Sequence, residues 1–316
     1  MQSKPLGLLF DAMHHGKYEF KDFLHGNIAS SITTTRFKQR KLYRPDKKLK
    51  AYLVFLNTFL FERLAVNERV VYSYRKGVNP HEVALAHAHS RAFFQTDIEN
   101  FFGSIDRALV QSTVLSQKDR IPISDLSAHI ERVLDLTTIE GILPIGFPTS
   151  PVISNVCLTP FDNDLEKYCS TSELIYTRYA DDIVVSGQSR KALLSLEPKL
   201  TELLGRHYDD KLKLNRSKRK LTAVGRKTRI LGMVVLPNGR VTIDMKLKKR
   251  IEVLLHFYVR NRQKFLDMSA GDSNAGIKKL GGYINYINTA DKPYLAKLKR
   301  KFGATVIDSF IHRSAK

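Results

Sequence analysis

The chain has 316 residues, with 52 Lys and Arg against 31 Asp and Glu, a formal net charge of +21, and only two cysteines. That length buries a real core, as one large domain or two to three packed lobes, and needs no covalent staples. Cys157 and Cys169 form no CxxC pair, which excludes a disulfide framework, argues against structural zinc, and leaves two ordinary buried small residues in a reducing compartment.

No apolar run approaches the ~18 residues of a membrane span. The N-terminal stretch MQSKPLGLLFDAMHHGKYEF has neither the h-region nor the cleavage site of a signal peptide, so a cytoplasmic protein with no membrane contact is expected. The positive excess predicts a polyanionic partner, and its distribution favours nucleic acid over lipid. Residues 36–50 hold eight basic side chains and one acid, and residues 211–250 hold fourteen and one. Both runs are interleaved with apolar residues at strand or helix spacing, as folded faces are. A merely solvated face would mix in compensating acids.

Along the chain, residues 49–66 (LKAYLVFLNTFLFERLAV) have the period of an amphipathic helix. Residues 91–97 read as a buried strand ending at Asp97, and 105–116 as a helix. GILPIGFPTSP, at 141–151, is a Gly- and Pro-rich loop. Thr149 or Ser150 is expected to cap the helix that follows, with Pro151 at its first position and a kink or break at Pro160. Residues 173–187 are two strand-like runs flanking Ala180-Asp181-Asp182. A helix at about 190–205 precedes strand-like pieces at 211–215, 229–236 and 240–244, the last two joined by the turn Pro237-Asn238-Gly239. From Met245 the pattern is helical, with Leu247, Ile251, Leu254, Leu255 and Tyr258 on one face. A last helical region contains residues 280–291, with Gly281-Gly282, a costly pair that predicts close packing or an approaching ligand backbone. Fold class from this order is α+β, an antiparallel core with a helical appendage.

Asp97 closes a buried strand, while Asp181 and Asp182 sit at a hairpin turn. If those strands are neighbours, three carboxylates converge at one sheet edge. Hard oxygen ligands in that number suit Mg²⁺ together with substrate phosphates. Two such ions would clamp the attacking and leaving oxygens of an in-line phosphoryl transfer. A lone Asp-Asp pair would be ordinary turn chemistry, so the weight comes from the motifs that accompany it.

Those motifs resemble a family. Tyr179-Ala-Asp-Asp182 is similar to the YxDD box of reverse transcriptases, and Asp97-Ile-Glu-Asn-Phe-Phe-Gly-Ser-Ile105 to their first palm motif. Leu143-Pro-Ile-Gly-Phe-Pro-Thr-Ser-Pro-Val-Ile-Ser-Asn155 resembles LPQGxPxSPxxxN, and Leu214-Asn-Arg-Ser-Lys218 resembles LNxxK. Ile230-Leu-Gly-Met233 stands where the primer-grip hairpin would follow. The motifs keep the family's order over about residues 43–290 and look most like bacterial retron and other defence-associated enzymes.

The resemblance implies a right-hand polymerase: an N-terminal region and fingers at 1–96, an RRM-like antiparallel-sheet palm at 97–244 with a fingers insertion at about 110–145, and a helical thumb at 245–316. It implies RNA-templated DNA synthesis from dNTPs on a noncoding RNA template and primer, with a DNA product, two Mg²⁺ ions (Mn²⁺ as substitute), and an effector or toxin protein as a further partner. Asp97, Asp181, Asp182 and the Ile98 carbonyl would hold the ions, and Lys218 would protonate the departing pyrophosphate. Phe102 occupies the steric-gate position that excludes a ribose 2′-hydroxyl. Gly146, Pro148 and Asn155 would shape the nucleotide pocket, and Arg75 or Lys76 would meet the triphosphate.

Three positions depart from the pattern. Ile145 replaces the Gln of LPQG, Val83-Ala-Leu-Ala-His87 stands for NAxxH, and Ile230-Leu-Gly232 for VTG. The alternatives are an untemplated or protein-primed DNA polymerase on the same palm, and a non-catalytic RNA-binding scaffold. Three converging acids beside a phosphate backbone disfavour the scaffold.

Overall fold

The computed structural model describes residues 3–38, 40–223 and 228–313. Gln39, Arg226 and Lys227 of the two basic runs lie outside the described residues.

The chain opens with α1 (Leu6–His14) and α2 (Phe20–His25), then a hairpin of β1 (Ile32–Phe37) and β2 (Arg40–Pro45), then α3 (Lys47–Phe59). Phe10 gathers the three helices around it, with ring centroids 5.1 Å from Phe23, 5.6 Å from Tyr52 and 5.3 Å from Phe55. The first basic run lies mostly on the hairpin, paired in the register Thr34↔Tyr43. Asp46 caps α3 through its carboxylate to the Leu49 amide. The helix expected to reach residue 66 ends at Phe59, and a 3₁₀ turn over Phe61–Arg63 follows. Leu60, Phe61 and Leu64 are still buried. Apolar spacing had registered their burial, which continues after the helix has stopped.

Next come α4 (Pro80–Ala86), β3 (Ala92–Asp97), α5 (Arg107–Leu115), α6 (Leu126–Thr137), α7 (Ser150–Cys157), α8 (Thr159–Thr171), the hairpin strands β4 (Ile175–Tyr179) and β5 (Asp182–Gly187), and α9 (Leu196–Tyr208). Pro160 splits α7 from α8, the expected break. Neither predicted hydroxyl caps α7. Ser150 lies inside the helix and its Oγ donates to the Pro144 carbonyl at 2.7 Å. The buried Thr149 Oγ1 has no hydrogen-bond partner. Thr149 is already in the right-handed helical region, so its side chain does not lean back over the first turn as an extended cap does.

The last third holds β6 (Lys220–Ala223), β7 (Thr228–Ile230), β8 (Met233–Val235), β9 (Val241–Ile243), α10 (Met245–Arg260), α11 (Arg262–Met268), α12 (Ser273–Ala290), α13 (Lys292–Phe302) and α14 (Ala304–Arg313). Two strand expectations are corrected. Residues 229–236 are not one strand: Leu231 at φ 47° and Gly232 at φ 85° fold them into a two-residue hairpin between β7 and β8. Residues 211–215 form no strand either; only Leu214 pairs, in an isolated bridge to Ile98.

Sheet order is β1-β2, β4-β5-β3-β6 and β7-β8-β9. By compactness the chain divides into one unit of Met1–Val78, Phe94–Val185 and Lys191–Leu221, and another of Asn79–Phe93, Ser186–Arg190 and Thr222–Lys316. In the first, Cys157 and Cys169 are free and buried, and burial pushes each thiol up to about 12. In the second, α4 starts on an Asn79–Glu82 capping box with Pro80 in its first turn. His87, just after α4, is buried with Nδ1 2.6 Å from the Ser186 Oγ. Burial lowers its pKa to about 3, so it is neutral at physiological pH. Asp291 caps α13 and also receives the Lys248 ammonium at 2.8 Å, tying α10 to α13.

Gly282 lies inside α12, where an added Cβ would meet nothing within 4 Å. Close packing therefore does not require this glycine. Gly282→Ala is expected to raise stability by about 0.5–1 kcal/mol, the usual helix-interior difference between these residues. Urea denaturation of the two proteins side by side checks it, and an unchanged or lower midpoint would contradict it.

Candidate active site

Backbone pairing sets the three acids side by side. The Ile98 amide donates to the Asp181 carbonyl at 3.1 Å, joining the end of β3 to the β4–β5 turn. On the other flank of β3, the Glu99 amide donates to the Lys213 carbonyl at 2.8 Å and the Asn215 amide to the Asp97 carbonyl at 2.8 Å. That short pairing carries the 3₁₀ turn Arg216–Lys218 to the strand end, where the Lys218 ammonium bonds Oδ2 of Asp97. Four of the expected residues, Asp97, Asp181, Asp182 and Lys218, therefore meet at one place.

Their charges act on one another. Burial, then the carboxylates of Asp181 and Asp97, pushes Asp182 up to about 6. Asp181 is raised too, first by burial and then by Asp97, with Lys218 and Arg40 opposing. The hydrogen bond to Asp97 raises Lys218, which keeps it an ammonium. Asp97 itself is only 3 % exposed, and its Oδ1 is buried with no hydrogen-bond partner.

Among the described residues, no three His, Cys, Asp or Glu side chains already form an ion cage. What they form is an edge of hard oxygen donors with one orphaned carboxylate oxygen and two carboxyls driven toward protonation by burial and by neighbouring acids. A divalent cation relieves both conditions at once, so these residues fit one.

The turn that presents the acids is held from below. Ala180 has φ 57°, a left-handed conformation that costs a non-glycine residue. Nη1 of Arg178 donates to the Ala180 carbonyl at 3.0 Å and to Oδ1 of Asn155 at 3.1 Å. Nε and Nη2 grip the two oxygens of Asp162 at 2.8 and 2.6 Å. Both partners of this pair are fully buried, and the Tyr176 hydroxyl adds a third bond to Asp162 at 2.7 Å. Asn155 is thus committed to scaffolding, since its Nδ2 also donates to the Ser73 carbonyl at 2.9 Å.

The remaining expected residues lie in the same compact unit. Gly146 has φ 114°, and a Cβ there would come within 2.3 Å of the Tyr43 carbonyl oxygen, so only glycine fits. The Tyr43 amide donates to the Ile145 carbonyl at 2.8 Å, so Ile145 contributes its backbone where the motif's Gln would offer a side chain. The Pro148 carbonyl accepts from Asn57 Nδ2 at 2.9 Å. Phe102 is half-buried in the turn Phe101–Ser104, its ring 5.3 Å from that of Phe101. Arg75 is turned onto its own loop, bonding the Glu68 and Val71 carbonyls and the Glu68 carboxylate, whereas Lys76 is exposed.

Sequence reasoning passed over Arg178 and Asp162. Arg178 did leave a signal: a full charge in the middle of a strand-forming run must either face water or find a buried partner. Asp162, sixteen residues earlier on α8, left none, because its pairing is purely tertiary.

The model of the family described as "Reverse transcriptase (RNA-dependent DNA polymerase)" matches residues 37–235. The chain belongs to that family. Similar curated proteins include the Retron Ec83 reverse transcriptase of Escherichia coli, 23 % identical over 276 residues and 85 % of each chain. The Retron Ec73 reverse transcriptase of Escherichia coli is 27 % identical over 83 % of each chain. The Retron Mx65 reverse transcriptase of Myxococcus xanthus is 25 % identical over 84 % of this chain and 62 % of that one. Among solved structures, apo telomerase from Candida tropicalis aligns at a TM-score of 0.48 and 10 % identity, over 84 % of this chain and 58 % of that one. The family brings with it an RNA template, a DNA product and dependence on a divalent metal ion. No helix among the described residues is long and apolar enough to cross a membrane.

Proposed function

We propose that this chain is the reverse transcriptase of a bacterial retron-type anti-phage system, copying a dedicated noncoding RNA in the cytoplasm, with an effector protein as a further partner. The observation that carries the reading is the meeting of Asp97, Asp181 and Asp182 at the ends of β3 and the β4–β5 hairpin, within a chain of this family. Residues 1–96 with about 110–145 serve as fingers, 97–244 as palm and 245–316 as thumb. The second basic run then lies across the end of the palm and the start of the thumb, where template–primer duplex phosphates would be met. Binding should be salt-sensitive and sequence-tolerant.

Asp97, Asp181, Asp182 and the Ile98 carbonyl would hold two Mg²⁺ ions, or Mn²⁺ in their place. Bound there, the metal supplies charge neutralisation and alignment for attack of a primer 3′-hydroxyl oxygen on the α-phosphorus of a dNTP, with pyrophosphate leaving. Lys218, whose ammonium bonds Asp97, would turn to the departing pyrophosphate and give it a proton. Phe102 excludes the ribose 2′-hydroxyl by bulk. Gly146, Pro148 and Asn155 shape the nucleotide pocket, Asn155 while bonded to the Ser73 carbonyl and Arg178, and Arg75 or Lys76 meets the triphosphate.

The test is primer extension by purified protein, offering dNTPs or NTPs with and without RNA template. Template-dependent dNTP incorporation that stops on chelation is expected. Incorporation that ignores the template would favour the untemplated polymerase, and no incorporation under any condition the scaffold.

A further inference from the structure

Tyr74 has a backbone conformation that tyrosine avoids. Its φ is 60°, in the left-handed region where a bulky side chain is a genuine outlier and where strain collects at functional sites. Such strain persists only when the surroundings over-determine it, and they do. Val71 pairs with Arg178 in a parallel bridge. The Tyr72 amide donates to the Arg178 carbonyl at 2.9 Å, and the Arg178 amide to the Val70 carbonyl at 2.8 Å. Ser73 is fastened by its carbonyl to Asn155, and Arg75 is fastened to Glu68 and Val71. Both sides of Tyr74 are therefore pinned, and the residue between them absorbs the distortion.

The bridge at Val71 sets this loop against the strand that leads into the Ala180–Asp182 turn, and Ser73 shares Asn155 with Arg178. The electrostatics agree: burial first, then the Asp181 carboxylate and the Tyr179 phenol, raises the Tyr74 hydroxyl above the ordinary tyrosine range. Yet the residue is 45 % exposed. A core aromatic would be covered, and a surface loop would relax to a cheaper φ. This ring is held half-open on a loop that is bridged to the strand leading to the acids and that also carries Arg75 and Lys76.

We propose that Tyr74 is a specificity-determining residue of the polymerase site, its ring forming the platform on which the base of the incoming deoxynucleotide stacks. Base–aromatic stacking tolerates every base, as a templated enzyme requires. The inference rests on the reverse transcriptase reading above and adds to it a residue that none of its motifs contains.

Tyr74→Asn removes the ring and accepts a left-handed φ, while Tyr74→Phe keeps the ring and removes only the hydroxyl. In steady-state primer extension on RNA, Tyr74→Asn is expected to raise the KM for dNTPs roughly tenfold, about 1.4 kcal/mol of stacking, with a much smaller change in kcat. Its thermal midpoint should rise as the strain is relieved. Tyr74→Phe should keep the wild-type KM. The proposal is overturned if Tyr74→Asn retains the wild-type KM for dNTPs, or if only its affinity for template–primer falls. It is also overturned if Tyr74→Phe loses as much as Tyr74→Asn. Failure of the wild-type chain to extend any primer would instead strike the reverse transcriptase reading itself.

Discussion

Exchange of Asp181 and Asp182 together for asparagine is expected to abolish DNA synthesis on RNA while leaving RNA retention intact. The two side chains keep their size, so the turn at Ala180 has no reason to rearrange. What disappears is the negative charge that would hold the metal. The loss should reach at least ~1000-fold in primer extension, since about 4 kcal/mol of transition-state stabilisation is a modest share for metal clamping of a phosphoryl transfer. RNA affinity, measured by filter binding, should be unchanged or slightly higher, because two acids beside a phosphate backbone no longer repel it. Thermal stability should not fall, since carboxylates whose pKa is raised by desolvation and by neighbouring acids are a cost to the fold at neutral pH. A double variant that still extends primers at the wild-type rate would end the assignment of these residues.

Arg178→Met should be the most destabilising single change near the site. It leaves the fully buried Asp162 carboxylate without its guanidinium, a situation that costs ~3–5 kcal/mol. Pairing it with Asp162→Leu removes the stranded charge, and most of that stability should return in chemical denaturation. Activity should not return with it. Arg178 also holds the Ala180 carbonyl and Asn155, so the double variant keeps a folded core but a loosened acid-bearing turn. If the double variant were as unstable as the single one, the cost would lie in packing and not in the unpaired charge. If it were fully active, the guanidinium would have no part in positioning the turn.

Much of the site was legible because its signals are local. The strand ending at Asp97, the tight turn before Asp182 and the break at Pro160 each depend on residues a few positions apart, and backbone sterics decide them. The misreadings had local causes too. Residues 229–236 look like a single strand because Leu231 is apolar, and its φ of 47° becomes visible only once β7 and β8 pair across it. Residues 211–215 alternate like a strand, yet they contribute only one bridge, and that bridge is what delivers Lys218 to Asp97.

By itself, the order of residues determined the family and the α+β class, since a motif is a statement about neighbours along the chain. Tertiary structure decided the rest: that Arg178 and Asp162 neutralise each other beneath the hairpin, that Asn155 bonds both Ser73 and Arg178, and that Tyr74 is held in a left-handed backbone. The physical reason is range. Dihedral preferences and apolar spacing are written within a few residues, whereas a buried charge acquires its meaning only from a partner that the fold brings to it.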